Sequence, residues 1–492
     1  MVEKRERLSC RVSGLRRSLW LLGVAAILAE SLSAQGFDPG KTPVTQVPAE
    51  RWGALQPATI VGDSSWWNFG STPSSSHPFW HDVDIENGYV FATSGRGLMV
   101  YDAVLDPAHP TRRSYFFANT STVPSWHQND TKFYLFGVDA PAGNDGVVAV
   151  ACISNNGLLV FDTRNKQFPR LMYQDDSKEG TQVWATTYNN TAYAFFAATD
   201  QRVLIYNLTA AQNLAATGCL DNSPTSILCK DPQNNRVYVG KISTQSGAAY
   251  LHGAGDHLAI SQGFLGIEIW RVNDPANPLR VAKFTPPGIS AGVALWQDGP
   301  KHYLAVVQVA NVSPHNVNIY DVSCITGTGT CTPTLVKTFV ATYDAPSTIL
   351  FVTFSRRSGT PYLYLGNEDQ FSGGPQREFL LDVTDPTAPV DVTPHVHTGG
   401  YWGWYYAGNS TGFNWVMPRT AKFHGNHLYR AAFSLFDIHE FRGNVPPAAS
   451  FSVGTQSPDG RFYSGDPITF TDHSTGFPTS WTWTFLPDGT PP

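Results

Sequence analysis

A sequence pattern that recurs seven times between residues 86 and 437 constrains the fold of this chain more than any other feature. Each copy has a turn dipeptide, an apolar strand, a short link and a second apolar strand, and most copies end in Asp. Gly, Asn and Asp tolerate the positive φ angles of hairpin turns, so dipeptides such as Asn-Gly and Gly-Asp predict hairpins. The copies include ENGYVFATSGRGLMVYD, NDGVVAVACISNNGLLVFD, NNTAYAFFAATDQRVLIYN, GDHLAISQGFLGIEIWRV and GNHLYRAAFSLFD.

The spacing of these copies predicts an all-β fold, a seven-bladed β-propeller. Asp102 and Asp437 end the first and last copies, and the 335 residues between them span six intervals, or about 56 residues per repeat. That length accommodates a four-stranded blade with its loops. No helical periodicity of useful length appears after residue 34. The Asp residues at the copy ends are predicted to accept hydrogen bonds from backbone N–H groups at blade corners: Asp102, Asp162, Asp321, Asp382 and Asp437.

Three of the repeat ends resemble a known family. GLMVYDAVLDPAHP, IEIWRVNDPANPLRVAKF and FLLDVTDPTAPV are similar to the LVIVD-type repeats of secreted bacterial propellers, in which an apolar strand is followed by Asp-Pro and a second Pro. The third copy ends in YNLTAAQN and lacks the Pro pair, and the seventh ends in FDIHEF. The resemblance implies an extracellular protein that binds a ligand or a surface, with its propeller over residues 77–443.

The composition changes at Asn444. PPAASF, ITFTDHSTG, SWTWTF and PDGTPP resemble the first half of a PKD domain, which is an immunoglobulin-like β-sandwich. The later strands of that family do not follow. We therefore expect residues 444–492 to be a partial PKD domain of a longer protein, used as a spacer or an attachment module.

The first 34 residues have the pattern of a secretory signal peptide. A basic segment precedes the apolar run LWLLGVAAILA, and SLSAQG offers a small-residue cleavage site after Ala34. The run is short for a membrane span, so we expect no transmembrane segment after cleavage. Residues 35–76 would then lead into the propeller, and the protein would be secreted or displayed at the cell surface.

The charge balance argues against a nucleic-acid partner. Without residues 1–34 the chain keeps 27 Lys and Arg against 36 Asp and Glu, a net charge of about −9. An acidic surface without a basic cluster does not suit a phosphate backbone.

The cysteine spacing fits an oxidising compartment. Cys219 and Cys229 are close in sequence, as are Cys324 and Cys331, and each pair could close a small disulfide loop. Cys152 lies in an apolar run and is expected to be a buried thiol.

The segment YWGWYYAGNSTGFNW, residues 401–415, holds seven aromatic side chains among Gly and Asn. Exposed aromatic rings suit sugar rings or a protein partner. The alternative is that the segment packs on its own sheet, and the Trp-rich SSWWNFG at residues 64–70 has the same two interpretations. The ligand contacts predicted here are Tyr401, Trp402, Trp404, Tyr405 and Tyr406.

The HExxH motif of zinc proteases and the P-loop are both absent from the sequence. His395 and His397 could share one strand face, but no acidic ligand stands at a defined spacing, so we predict no metal site. Glu368 and Asp369 lie in a polar loop that lacks the alternating Asp spacing of a calcium loop. The sequence therefore predicts no catalytic residue and no cofactor.

The preferred interpretation is a secreted, non-enzymatic binding or adhesion protein whose loops recognise an extracellular polysaccharide or protein. The alternative is a secreted hydrolase or lyase that acts on polysaccharide at a propeller face. Opposed carboxylates, or a His with a carboxylate, in one pocket would favour the enzyme. A third interpretation is a surface-layer component that binds only copies of itself.

Overall fold

The structure is a computed structural model of the whole chain. The parts of the chain that it describes are residues 59–63, 80–94, 97–117, 134–153, 157–175, 180–198, 200, 202–216, 237–245, 250–309, 315–327, 329, 331–341, 349–367, 378–392, 418–432, 435–441, 451–454 and 469–472.

The described residues form seven four-stranded antiparallel sheets and one two-stranded sheet. The first strand and blades one to three comprise β1 (Thr59–Asp63), β2 (Trp80–Glu86), β3 (Tyr89–Ser94), β4 (Gly97–Asp102), β5 (Thr111–Phe117), β6 (Tyr134–Asp139), β7 (Val147–Ile153), β8 (Gly157–Asp162), β9 (Arg170–Asp175), β10 (Gly180–Tyr188), β11 (Thr191–Ala198), β12 (Arg202–Asn207), the helix α1 (Leu208–Ala216) and β13 (Tyr238–Ser243). Blades four to seven and the C-terminal segment comprise β14 (Tyr250–Ala254), β15 (His257–Ser261), β16 (Ile267–Arg271), β17 (Leu279–Phe284), β18 (Ile289–Asp298), β19 (Lys301–Val309), β20 (His315–Asp321), β21 (Thr334–Ala341), β22 (Ile349–Arg357), β23 (Thr360–Asn367), β24 (Phe379–Asp382), β25 (Val390–Asp391), β26 (Pro418–His424), β27 (His427–Ala432), β28 (Leu435–Glu440), β29 (Phe451–Gly454) and β30 (Thr469–Asp472).

This architecture confirms the all-β, seven-bladed propeller. Blades one to six are β2–β5, β6–β9, β10–β13, β14–β17, β18–β21 and β22–β25, blade seven is β26–β28 with β1, and the first strand of each range is the innermost. Each sequence copy is the second and third strand of one blade, and its turn dipeptide joins the second strand to the innermost one. Asn87 and Gly88 have φ angles of 51° and 79° in the first of these hairpins. Gly255 and Gly425 take the same positive φ in blades four and seven, at 60° and 56°. The predicted turn chemistry is therefore present.

The last blade is completed by the first strand of the chain. β1 pairs antiparallel with β28, with Thr59 opposite Ile438 and Asp63 opposite Leu435. The blade thus takes a strand from residues 35–76, upstream of the propeller boundary expected at residue 77. Because its two ends belong to distant parts of the chain, this sheet holds the ring closed.

The blade-corner role of the recurring Asp is confirmed at four positions. In each case Oδ1 accepts a hydrogen bond from the backbone N–H two residues later, at 2.9–3.1 Å, for Asp102, Asp162, Asp321 and Asp382. The same prediction for Asp437 is wrong. It lies inside β28 opposite Arg430, and Glu440 occupies the strand end opposite His427.

The sequence also missed a helix. α1 follows β12 in the third copy, where the Pro pair is lacking, and Asn207 Oδ1 accepts the Ala210 N–H at 2.8 Å. This is N-cap geometry, so the Asn that ends the repeat starts a helix instead of a corner. The helix has nine residues, four of them Ala, which is too short for a helical pattern to stand out in the sequence.

The apolar core lies between neighbouring blades rather than within one. One cluster joins Val147 and Leu158 of blade two to Phe196 of blade three. The innermost strands approach closely where side chains are absent. A Cβ on Gly292 would lie 2.5 Å from the Leu350 carbonyl oxygen, and one on Gly137 would lie 3.0 Å from that of Thr181. Glycine is needed at these positions to close a tight ring.

The cysteine and terminal-segment predictions have different outcomes. Cys324 and Cys331 are disulfide-bonded, as predicted, and Cys152 is a buried thiol outside any disulfide. The segments that contain Cys219, Cys229 and residues 1–34 lie outside the described residues. Residues 444–492 contribute β29 and β30, which pair with Phe451 opposite Asp472, and the sandwich stays a prediction. No helix among the described residues is long and apolar enough to span a membrane.

Candidate functional site

Polar side chains on the innermost strands of blades one, two, four and six tie each of these blades to the next. Asp84 Oδ2 accepts the Ala140 N–H at 2.7 Å, and Asp139 Oδ2 accepts the Ala185 N–H at 2.6 Å. The same link recurs elsewhere in the ring. His252 Nδ1 accepts the Leu295 N–H at 3.2 Å, and Ser355 Oγ accepts the Phe423 N–H at 2.8 Å. Each bond satisfies a backbone donor of an innermost strand, which faces no further strand of its own sheet.

A cavity of about 550 Å³ lies on the propeller axis, and residues of all seven innermost strands line it. Its charged groups come mostly from blades one, two and seven: Asp82, Asp84, Glu86, Asp139 and Lys422. Blades three to six contribute mainly apolar and aromatic side chains to the lining, including Trp184, Tyr250, Leu251, Val293, Phe351 and Phe354. The cavity is therefore acidic on one side and apolar on the other, within the size range of small-molecule sites.

Lys422 lies at the centre of the acidic side. Its Nζ donates a hydrogen bond to Asp84 Oδ1 and lies 3.6 Å from Asp139 Oδ1. Asp82 uses both oxygens on backbone donors, accepting from Val83 and Val138 at 2.9 and 3.0 Å. One ammonium group thus faces three carboxyl groups, so the negative charge around it is not fully compensated.

This imbalance shifts the proton affinities of the acidic groups. Burial raises the pKa of Asp82 to about 6, against the opposing charge of Lys422. Burial and the nearby charge of Asp84 raise the pKa of Asp139 well above its ordinary value. Burial also raises the pKa of Glu86. For Lys422, burial alone would lower the pKa, but Asp84 and Asp139 raise it above its ordinary value, so the amine stays charged.

An aromatic plug crosses the axis at the end where the innermost strands begin. The Arg419 guanidinium carbon lies 5.2 Å from the ring centre of Phe136 and 5.3 Å from that of Phe351. Tyr250 meets Phe351 edge to face at 5.7 Å, although their blades are not neighbours. His81 stacks on Phe136 at 4.0 Å. These five residues, which we call the plug, come from five blades and narrow this end of the axis.

Two histidines near the axis are held neutral. Burial and the Arg419 charge lower the pKa of His81 well below its ordinary value, so its Nδ1 accepts a hydrogen bond from Arg419 Nη1 at 2.9 Å. Burial and the Lys422 charge lower the pKa of His252 to about 4, which suits its Nδ1 for accepting the Leu295 N–H. Both imidazoles therefore act as structural acceptors at neutral pH.

A second buried charge cluster joins blades six and seven away from the cavity. Arg430 donates to Asp437 Oδ1 and Oδ2 and to Glu378, and the Tyr364 hydroxyl also donates to Glu378. Burial raises the pKa of Glu378 to about 7 despite Arg430. Arg430 and Asp437 are 0% and 1% exposed, so a ligand does not reach them and the cluster is structural.

The residues that line the cavity are not the ligand contacts predicted from the sequence. The predicted contacts Tyr401, Trp402, Trp404, Tyr405 and Tyr406 lie outside the described residues, as do residues 64–70, His395, His397, Glu368 and Asp369. Among the described residues, no group of three or more His, Cys, Asp or Glu side chains is arranged to hold a metal ion.

The repeated sequence pattern begins at the turn, and the innermost strand of each blade precedes that turn. The carboxyl groups of the cavity and Lys422 lie on or next to the innermost strands, so the pattern does not predict them. A signal was present: the third residue from the end of the innermost strand is Asp84, His252, Ser355 and Lys422 in blades one, four, six and seven. Polar residues at one repeated position of a buried strand indicate a shared ring.

Comparisons with known proteins add little beyond the fold. No protein-family model matches the chain, and no curated protein matches it. A solved structure of U3-55K is similar over 74% of this chain and 96% of that one, with 9% identity and a TM-score of 0.47. A structure of BBS1N in complex with ARL6DN is similar over 57% and 71%, with 9% identity and a TM-score of 0.37. The seven sheets themselves establish the propeller.

Proposed function

We propose that this chain is a secreted, non-enzymatic binding protein that takes an extracellular ligand into the axial cavity of its propeller. The observation that carries the proposal is the cavity of about 550 Å³ with an acidic side and an apolar side. A concave, mostly apolar site with a few convergent polar groups is the usual form of a ligand pocket. Carboxyl groups with raised pKa values are also concentrated at functional sites.

The export of the protein rests on separate observations. The disulfide between Cys324 and Cys331 fits an oxidising compartment, and residues 1–34 have the signal-peptide pattern. The resemblance to LVIVD-type repeats and to PKD domains supports a bacterial surface setting, with the C-terminal segment as spacer or attachment. N-terminal sequencing of the exported protein tests this part: cleavage after Ala34 is expected, and an intact Met1 in the exported protein contradicts it.

The polysaccharide hydrolase or lyase remains the second candidate, because one specific observation favours it. Asp82, Asp84 and Asp139 line one cavity, and neighbouring carboxyl groups can divide acid and base roles in glycoside hydrolysis. Binding is preferred because a glycosidase needs two available carboxyl groups and two of these three are fully engaged. Both oxygens of Asp82 accept backbone N–H groups, and the oxygens of Asp84 accept from Ala140 and Lys422, which leaves one oxygen of Asp139 open.

The decisive experiment is a ligand screen on the exported protein with two matched variants. Ala142→Trp places a bulky ring at the cavity lining, and Ala276→Trp places the same ring at an exposed corner of blade four. We expect a glycan, polysaccharide or small-molecule ligand to bind wild type and Ala276→Trp and to fail with Ala142→Trp. Equal binding by both variants would move the site off the axis.

The same proteins separate binding from catalysis. Each polysaccharide in the screen is also assayed for release of reducing ends or unsaturated products. Binding without product supports the proposal. Turnover that Asp139→Asn abolishes while ligand still binds would establish the enzyme instead.

The aromatic segment offers a second ligand contact on the same molecule. We propose that Trp402 and Trp404 stack on a sugar ring or a protein side chain. The double substitution Trp402→Ala, Trp404→Ala should abolish glycan binding at an unchanged melting temperature. A large loss of stability without any glycan binding by either protein would make the segment a packing element.

A further inference from the structure

We propose that the ligand of the axial cavity is a protonated amine with an apolar or aromatic body. This inference rests on the proposed binding function and names the ligand class for that site. It follows from the arrangement of charge, hydrogen-bond acceptors and aromatic rings around the cavity.

The charges on the cavity lining favour a cationic ligand. Four carboxyl groups line the cavity, and the cationic side chains on its lining are Arg356 and Lys422. Arg356 donates to the carbonyl oxygens of Gly359 and Gln297 and lies 3.8 Å from Asp298, so its charge is engaged at the cavity rim. Lys422 therefore faces the acidic side nearly alone. In a partly desolvated cavity the excess negative charge attracts a cation strongly.

Hydrogen-bond acceptors on the acidic side of the cavity suit an ammonium group. Lys422 Nζ is 3.6 Å from Asp139 Oδ1, too far for a hydrogen bond, so this oxygen can accept one from a ligand. Thr420 lies on the same wall and is only 7% exposed, and its hydroxyl stabilises the ionised Asp82 carboxylate by hydrogen bonding. A hydroxyl that donates to a carboxylate keeps lone pairs that can accept a hydrogen bond from a ligand. An ammonium group has three donors, and Asp139 Oδ1 and the Thr420 hydroxyl oxygen would each accept one of them.

The opposite side of the cavity favours an apolar or aromatic ligand body. Trp184 and Tyr250 line it, together with Phe351 and Phe354. Aromatic rings bury apolar surface and attract cations through their faces. The plug closes one end with Arg419, whose positive charge would orient an amine away from it and towards the acidic side. A neutral sugar would leave the excess charge uncompensated, and an anion would be repelled.

Affinity for such a ligand should fall in acid. Protonation of Asp82, with a pKa of about 6, removes one attractive charge as the pH drops below that value. His252, with a pKa of about 4, stays neutral and does not replace the lost charge down to pH 5. The other titratable groups on the cavity lining are Asp84 and Glu86 on β2, Asp139 on β6, His252 on β14, Arg356 on β22 and Lys422 on β26, and the charge of Lys422 acts on Asp82.

The test is isothermal titration of the full-length exported protein with 2-phenylethylamine, 2-phenylethanol and 3-phenylpropionate. These probes share one aromatic body and differ in charge. We expect the amine to bind at least tenfold more tightly than the alcohol at pH 7.5, several-fold more weakly at pH 5.0, and the acid not to bind. Asp139→Asn, which keeps an oxygen for the Ala185 N–H, should weaken the amine at least tenfold. Thr420→Val should weaken it several-fold.

Asp274→Asn is the matched control, because Asp274 lies at the exposed corner between β16 and β17, away from the cavity, and Asn keeps an oxygen for the Ala276 N–H; it should leave affinity unchanged. Equal binding of amine and alcohol, or no loss with Asp139→Asn, would overturn the inference. A different ligand that binds wild type but not Ala142→Trp, while the amine does not bind, would overturn the ligand class and leave the binding function standing. No binding by any compound would overturn both.

Discussion

The ammonium group of Lys422 on the first strand of blade seven donates a hydrogen bond to the carboxylate of Asp84 on the first strand of blade one. The two residues are 338 positions apart, so this bond links the ends of the propeller ring at its axis. β1 makes the corresponding link at the outer edge of blade seven, opposite β28. The ring is thus closed twice, once by a charge pair and once by a sheet.

Removing the cation should destabilise the propeller. Lys422→Met leaves Asp84 and Asp139 buried without their counter-charge, which we expect to lower the free energy of unfolding by about 3–5 kcal/mol at pH 8. A carboxyl group whose pKa is higher in the folded state than in the unfolded state lowers the free energy of unfolding as pH rises. The decrease runs from its unfolded-state pKa, near 4, to its folded-state pKa. Without Lys422 these pKa values rise further, so the loss should be smaller at pH 5. Urea titrations at both pH values measure it.

Lys301→Met is the control for that substitution. Its side chain is 59% exposed and lies 3.9 Å from Asp321, so its loss should change the free energy of unfolding by about 0.5 kcal/mol or less. If Lys422→Met is as mild as Lys301→Met at pH 8, the axial charge pair does not hold the ring.

Proline substitutions test the closure by β1. Thr59 and Ile60 are consecutive residues that pair with Ile438 and Asp437. Alternate residues of an edge strand direct their N–H towards the partner strand, so only one of Thr59→Pro and Ile60→Pro removes a ladder hydrogen bond. We expect one variant to lose about 1–3 kcal/mol of stability and the other to lose much less. Two variants with wild-type stability in urea titrations would show that β1 does not close the blade.

The disulfide should stabilise a local loop. Cys324 and Cys331 are seven positions apart, and closing so short a loop is worth roughly 2–3 kcal/mol by the loop-entropy relation. Cys324→Ser with Cys331→Ser should therefore lower the melting temperature. The comparison is made in a Cys219→Ser, Cys229→Ser background, where reductant should lower the melting temperature only if Cys324 and Cys331 are present. An unchanged melting temperature in reductant would contradict a bonded pair.

A second charge test removes the cation of the buried cluster between blades six and seven. Arg430→Met leaves the Glu378 and Asp437 carboxyl groups buried without a cation, and we expect a loss of about 3–5 kcal/mol at pH 8. Although burial opposes it, Arg430 holds the pKa of Asp437 below its ordinary value. That contribution is present above pH 4 and is lost only as pH falls towards the lower folded-state pKa, so wild type and variant should converge well below pH 4. Equal losses at pH 2 and pH 8 would contradict this origin.

The fold was predictable because turns and apolar strands repeat locally in the sequence. Asn87-Gly88 and its counterparts set the hairpins, and Asp102 and its counterparts set the corners. The closure by β1 was not predictable, since Thr59 and Ile438 are far apart and one strand carries no repeat. The axial site was missed for the same reason, because Asp84, Asp139 and Lys422 become neighbours only when the ring forms.

The most direct test of the axial site is a crystal of the exported protein soaked with 2-(4-bromophenyl)ethylamine, with anomalous data collected at the bromine edge. We predict one dominant bromine peak inside the cavity beside Trp184 and Tyr250, with the amine directed towards Asp139 and Thr420. Crystals of Ala142→Trp should lack that peak. A dominant peak elsewhere on the protein, or an unoccupied cavity at a concentration that saturates binding in solution, would contradict the account.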